Sequence, residues 1–169
     1  MIRYFNLIFV TFFGVGKIKF ASGTFASLAT TSFLFYFFHI LKLPAQFTLY
    51  ILLIIFLYSF FAVGEYIKDN EDKDPKEVVV DEVIGQSIPI YLFEIAHETS
   101  KISKEETILF YLYIFILFRF FDIKKPFPVS YFDKKFKNCF GVILDDVVAG
   151  LYVVLTLIIF IIIKTKFFS

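Results

Sequence analysis

Arg119-Phe-Phe-Asp122-Ile-Lys124-Lys-Pro126, with the pair Asp145-Asp146 downstream, forms a polar island between an apolar run that opens at Thr107 and another at Val147–Ile163. Charge at the margin of a bilayer is costly unless it is paired, metal-bound or wet, so such an island is a functional-site candidate by default. The chain around it is membrane-like. It is 59% hydrophobic, against about 45–50% in soluble domains, and its mean hydropathy is +0.77.

Working outward, Thr24–Leu41 and Ala45–Val63 carry no Asp, Glu, Lys or Arg and are joined by Lys42-Leu-Pro44. Each approaches the ~20 residues a spanning helix needs, and together they predict a transmembrane hairpin. Gly23, Ala26, Ser27 and Thr30 give the first of them a small-residue face for close helix packing. Tyr4–Phe13 is apolar but too short to span. No A-x-A-like cleavage site follows it, so it reads as a retained, partly buried or interfacial segment. Val83–Ala96 is interrupted by Pro89 and is too short for a regular span. Gly64–Val80 is the most polar stretch, and its acidic run from Glu71 to Glu77 reads as a solvated loop. Ser103 with Glu106 has the capping-box pattern that opens a helix.

A topological constraint follows. If only 24–41, 45–63, 107–121 and 147–163 crossed, the Asp81 loop and the Asp122–Asp146 loop would face opposite sides and no common site could form. Either Val83–Ala96 crosses or re-enters, or the 107–121 helix stops short. The expected architecture is therefore all-α: a single domain over 1–169, an integral membrane helical bundle with short or re-entrant helices and one polar site at the membrane interface. Lysine-rich loops on one side suit the positive-inside rule, although Lys164 and Lys166 run against it.

The candidate chemistry lies at the apolar margins. Val80-Asp81-Glu82-Val-Ile-Gly85 places adjacent carboxylates in an apolar setting, unfavourable without a cation. On a helix Asp81 shares a face with Gly85, and Asp146 is followed one turn later by Gly150, so each carboxylate has room beside it. Gly14-Val-Gly16-Lys17-Ile-Lys19 leads into Ser22-Gly23-Thr24 at a helix start. Glycines admit an anion to backbone N–H groups, lysines neutralise it and the helix N-terminus adds its dipole. The same stretch also reads as a turn and N-cap with snorkelling lysines. Phosphomonoester hydrolysis needs charge neutralisation, an oriented water and help for the leaving alkoxide. Asp81, Glu82, Asp122, Asp145 and Asp146 offer the oxygen ligands that Mg²⁺ prefers, and one could serve as base. Lys17, Lys19, Arg119 and Lys124, with Thr24 at the helix start, are the candidate phosphate-binding groups.

Several classes are excluded. Cys139 is the single cysteine, so there is no internal disulfide and no multi-cysteine metal site. It is followed at the C-x5-R spacing by Asp145, not Arg, which removes the cysteine phosphatases. His39 and His97 have no metal-ligand spacing and no neighbouring Arg, and read as helix-end or interface residues. A net charge of +1 gives no electrostatic footprint for nucleic acid.

Three blocks carry a resemblance. Phe13-Gly-Val-Gly-Lys-Ile-Lys-Phe-Ala-Ser-Gly-Thr-Phe-Ala-Ser-Leu, Val80-Asp-Glu-Val-Ile-Gly, and Arg119-Phe-Phe-Asp-Ile-Lys-Lys-Pro-Phe-Pro through Gly141-Val-Ile-Leu-Asp-Asp-Val-Val-Ala-Gly150 resemble, in order and spacing, the phosphatidylglycerophosphatase A family. Ser22 stands where the family usually has Pro, and Asn138-Cys139 where it has a Gly-Gly-like pair. The resemblance implies a Mg²⁺-dependent, all-helical, multi-pass phosphatase of the bacterial inner membrane, acting from the cytoplasmic side on the anionic lipid phosphatidylglycerophosphate to give phosphatidylglycerol. Two other classes use the same residues: a small membrane cation transporter, and a non-catalytic membrane subunit. A transport pathway would put ionisable groups in mid-span, which 24–41 and 45–63 lack apart from His39 near an end. Oligomeric state is not encoded in any motif.

Overall fold

The computed structural model describes residues 2–68, 75–97, 103–136 and 138–168. Among these the chain is helical without strands: α1 (Ile2–Val10), a 3-10 turn (Val15–Lys17), α2 (Ser22–Phe35) running into a π-turn (Tyr36–Ile40), α3 (Ala45–Lys68), α4 (Val80–His97), α5 (Lys104–Lys124), α6 (Val129–Lys135) and α7 (Cys139–Phe168). The all-α membrane bundle expected from the sequence is what forms. Most of the acidic run, Glu71 to Asp74, lies outside the described residues.

Helices α4 and α7 are the centre. Val80 and Ile84 of α4 and Val142 and Ile143 of α7 join Val10, Ala62, Val63 and Ile67 in one apolar core. Ile90 and Phe93 of α4 and Ala149 and Val153 of α7 join Leu34, Tyr111, Ile114 and Phe118 in a second. The two helices touch backbone to backbone where Gly85 meets Gly150. A Cβ on Gly85 would lie 2.5 Å from the Asp146 carbonyl and 2.7 Å from the Phe118 ring, and one on Gly150 would overlap the Gly85 carbonyl. Pro89 accounts for part of this. It has no N–H to give the Gly85 carbonyl four residues back, and that carbonyl instead lies against Gly150, 2.4 Å from where a Cβ would stand there.

The termini of the elements follow from local chemistry. Ser103 caps α5: its Oγ accepts from Glu106 N–H at 3.2 Å while the Glu106 side chain accepts from Ser103 N–H at 2.9 Å, completing the predicted box. Asn138 opens α7, its Oδ1 accepting from the N–H groups of Phe140 and Gly141. Asn therefore does by side-chain capping what a glycine pair would do by backbone freedom. α1 lies against α3, where Tyr58 donates to buried Asn6 at 2.6 Å and meets Phe9 edge to face. This is the partly buried N-terminal segment that the sequence suggests.

Among the described residues two helices, Ala45–Lys68 and Cys139–Ile163, are long and apolar enough to cross a membrane. In the run 24–41, α2 has 14 residues, about 21 Å at ~1.5 Å per residue, and passes directly into the π-turn. Val83–Ala96 is not broken at Pro89 but lies within an 18-residue helix, about 27 Å long. α4 and α5 run antiparallel. At one end Glu94 accepts from Tyr111 OH at 2.9 Å and lies 3.1 Å from His39 Nε2; at the other, Glu82 stands near Arg119. The α4–α5 pair thus returns the chain to the end where Asp81 began, and removes the topological conflict. His39 and His97, the latter bonded to the Phe93 carbonyl at 2.9 Å, are the helix-end groups expected of them.

Candidate active site

At the end of the bundle where α2, α4 and α7 begin and α5 ends lies a cavity of about 610 Å³. Its walls include Gly16 to Gly23, Asp81, Glu82, Asp122, Lys125, Asp145 and Asp146. The N-terminal loop is held over it by main-chain and side-chain ties. Val79 N–H donates to the Val10 carbonyl at 2.9 Å, and Ser22 Oγ donates to the Lys76 carbonyl at 2.9 Å. The first turn of α2 faces the cavity through Ser22 and Gly23, so its uncompensated N–H groups add positive potential there.

The carboxylates arrive from three helices. Asp81 and Glu82 sit in the first turn of α4, Asp122 near the end of α5, and Asp145 and Asp146 inside α7. Asp145 is not an N-cap, because α7 opens at Cys139. Its Oδ2 accepts from Lys125 Nζ at 2.7 Å. Asp122 pairs with Arg119 at 2.6 Å. The other three converge: ligand atoms of Asp81, Glu82 and Asp146 all lie within 4.8 Å of one another, with Asp81 and Asp146 buried. The Gly85–Gly150 crossing sets this spacing. It locks α4 to α7 one turn beyond Asp81 and Asp146, so the two carboxylates are carried to the same point.

Glu82, in the first turn of α4, is a strongly perturbed group. It is half-buried as a residue, yet its Oε2 is shut off from solvent and has no hydrogen-bond partner. Its pKa is raised to about 7: burial is the main cause and the Asp122 charge adds to it, while the hydrogen bond with Asp81 and the Arg119 charge oppose the rise. Gly23 makes its place: a Cβ there would overlap Glu82 Oε1 and lie 3.3 Å from Arg119 Nη1. Arg119 Nη1 also donates to Ser27 Oγ at 3.4 Å. Arg119 Nε and both amide atoms of Gln86, one helical turn after Glu82, are likewise buried without a partner. Unsatisfied buried polar atoms are rare in native proteins and mark a site that a water, ion or ligand completes.

The donor set suits Mg²⁺. Two oxygens at its usual 2.0–2.1 Å stand at most about 4.2 Å apart, so the three carboxylates need only a small adjustment to share an ion. Other candidates are distributed unevenly. Lys17 and Lys19 line the cavity and are exposed at its mouth. Arg119 lies behind the wall, engaged with Asp122 and Ser27. Thr24 is in the first turn of α2 and does not line the cavity. Lys124 is exposed and does not line it either. Its neighbour Lys125 does, and sequence reasoning passed over it. The signal was present in the R-x-F-D-I-x-K-P-x-P pattern, whose lysine falls on Lys125. What periodicity could not reveal is that Lys125 leaves α5 in the left-handed conformation, φ 43°, which changes the direction of its side chain at the helix end.

The family model for phosphatidylglycerophosphatase A matches residues 8–161. The chain belongs to the phosphatidylglycerophosphatase A family. It is 35% identical over 148 residues to "Phosphatidylglycerophosphatase A" of Haemophilus influenzae, covering 85% of this chain and 80% of that protein. It is 32% identical over 146 residues to a "Putative phosphatidylinositol-3-phosphatase" of Bacteroides thetaiotaomicron, covering 84% of each. The Escherichia coli "Phosphatidylglycerophosphatase A" is 26% identical over 138 residues, 82% of this chain and 73% of that protein. No solved structure matches the chain. Membership makes this chain a phosphatase, and the cavity at the α2–α4–α5–α7 end is its candidate active site.

Proposed function

We propose that this membrane phosphatase hydrolyses phosphatidylglycerophosphate to phosphatidylglycerol and phosphate, with Mg²⁺ held by Asp81, Glu82 and Asp146 and the cavity open to the cytoplasm of a multi-pass protein. The observation that carries the reading is the convergence of those three carboxylates at a cavity whose mouth bears Lys17 and Lys19, in a chain of this family. A bound Mg²⁺ supplies charge neutralisation and a water acidified enough to attack near neutral pH. The chain's own groups do the rest. Lys17, Lys19 and Lys125 neutralise the phosphate oxygens, and the first turn of α2 adds its dipole. Asp122 holds Arg119 beside Glu82. The attacking water gives its proton to a carboxylate, its oxygen bonds phosphorus, the bond from phosphorus to the glycerol oxygen breaks, and that oxygen takes up a proton to leave as the alcohol.

The test is phosphate release in detergent micelles with and without Mg²⁺, for wild type and Asp146→Asn. The expected result is metal-dependent release, reduced at least about 100-fold by the substitution in a protein that retains its helical circular dichroism. Phosphatidylinositol 3-phosphate is the comparison substrate, given the name of the Bacteroides relative. Faster turnover of that lipid would move the substrate assignment and leave the site in place. Release that survives Asp146→Asn would discard the site.

A further inference from the structure

A second, wholly different recess lies along α3, α4 and α7. It holds about 340 Å³ between α3, α4 and α7, and is lined along α3 by Leu49, Leu53 and Phe56 and along α4 by Val83, Ile88 and Leu92. Its only hydroxyls besides Tyr91 belong to Ser87, whose Oγ is already satisfied by the Val83 carbonyl at 2.6 Å, so the groove asks for no polar partner. It is continuous in chain with the site: Val83 follows Glu82, and Val147, also in its wall, follows Asp146. It extends from there to Leu92, about 13 Å along the helix axis.

We propose that this groove seats one acyl chain of the lipid substrate while its phosphate occupies the carboxylate cavity. The inference rests on the lipid-phosphatase reading. A phospholipid phosphomonoester presents its charge and its hydrocarbon end to end, and this is where the molecule presents a charged cavity and an apolar groove end to end. The other large apolar recess, lined by Pro89, Phe93, Leu157 and Phe160 among others, starts about two turns further down both α4 and α7, whereas the wall of the groove begins at Val83 and Val147, next in chain to Glu82 and Asp146. The groove is open to the membrane at its rim, where Leu53 is 44% and Leu92 41% exposed, so a chain can enter sideways from the bilayer.

The test compares dioleoyl- and dihexanoyl-phosphatidylglycerophosphate as substrates for wild type, Leu53→Trp and Leu157→Trp. Leu53→Trp fills the groove from its half-exposed rim. It is expected to lower kcat/KM for the dioleoyl lipid about tenfold and leave the dihexanoyl lipid within about twofold, while Leu157→Trp spares both. Equal losses on both lipids, or discrimination by Leu157→Trp in place of Leu53→Trp, overturns the groove. A wild type inactive on both lipids overturns the phosphatase reading itself, so the two failures are distinct. Photolabelling of the wild type by a phosphatidylglycerophosphate with a diazirine acyl chain avoids any folding defect. Labels on 49–56 and 83–92 that excess unlabelled substrate removes are expected; competed labels on 154–165 alone overturn the proposal.

Discussion

Glu82 cannot ionise freely where it sits, and that gives the site a pH signature. Its carboxyl titrates near 7 when folded against about 4.5 when unfolded, so the folded metal-free protein binds the extra proton. Where the folded state binds more protons, stability falls as pH rises. Without divalent metal, therefore, thermal stability in detergent should decline between about pH 4.5 and 7 and level off above. Glu82→Gln, which cannot ionise, should flatten that decline. Mg²⁺, by favouring the ionised form, should stabilise most above pH 7. Thermal melts at several pH values with EDTA or Mg²⁺ check all three, and a wild-type curve that rises across this window would contradict the assignment. Lys125 and Lys124 provide a second residue-scale contrast. Lys125→Met should reduce phosphate release about 100-fold by removing the partner of Asp145, whereas Lys124→Met should change it less than about twofold; steady-state rates for the two variants decide it. That contrast marks how far sequence reading reached. The carboxylates were legible because charge is so rarely tolerated beside Val-Val-Val or Val-Ile-Leu. The choice between adjacent lysines was not, because it depends on a single left-handed residue at the end of α5.

The element that decides the site is the α4–α7 crossing. Both glycines at the crossing could be read as room beside a carboxylate; that they occupy each other's room could not, since nothing in one sequence pairs position 85 with position 150. The structure makes the pairing testable. Gly85→Ala places a methyl against the Asp146 carbonyl and the Phe118 ring, both of which are fixed. It should cost about 1–3 kcal/mol of overpacking and lower activity by spreading Asp81 from Asp146. Gly64→Ala is the control. Its added methyl, within helix α3, meets the Cys139 side chain at Sγ, 3.7 Å, and Cβ, 3.9 Å, both ordinary contacts. Removing a mid-helix glycine there should stabilise by about 0.5–1 kcal/mol. Circular-dichroism melts of the two variants should move in opposite directions. Equal shifts would mean that the crossing is looser than the backbone contact implies. The capping box at Ser103 was readable because it is local, four residues long and independent of packing. The π-turn that ends the α2 run was not, since an uncharged apolar run says nothing of where its helical winding changes.

At the scale of the molecule, the question raised by the sequence was how Asp81 and Asp146 could share one side of a membrane. The answer lies in α4 and α5. α4 carries too many polar residues to pass as a spanning helix, yet at about 27 Å it nearly matches the ~30 Å hydrocarbon core, and α5 returns alongside it. The polar residues of α4 face inward, which makes a crossing possible: Gln86 and Ser87 are buried in the bundle, and Glu94 is held by Tyr111 and His39. If α4 and α5 both cross, Lys17, Lys19 and Lys125 lie at one face and the Ser103 end of α5 at the other. In a Cys139→Ser background, Lys19→Cys and Lys104→Cys should therefore label with opposite sidedness. With the proposed cytoplasmic site, an impermeant maleimide should modify Lys104→Cys in intact spheroplasts and Lys19→Cys only after permeabilisation. The reverse pattern would keep the fold and invert its orientation, moving the site away from the cytoplasm. Labelling of both from the same side would mean that the α4–α5 pair dips into the bilayer without crossing it, and the charged end of the bundle would then share its face with the Ser103 cap.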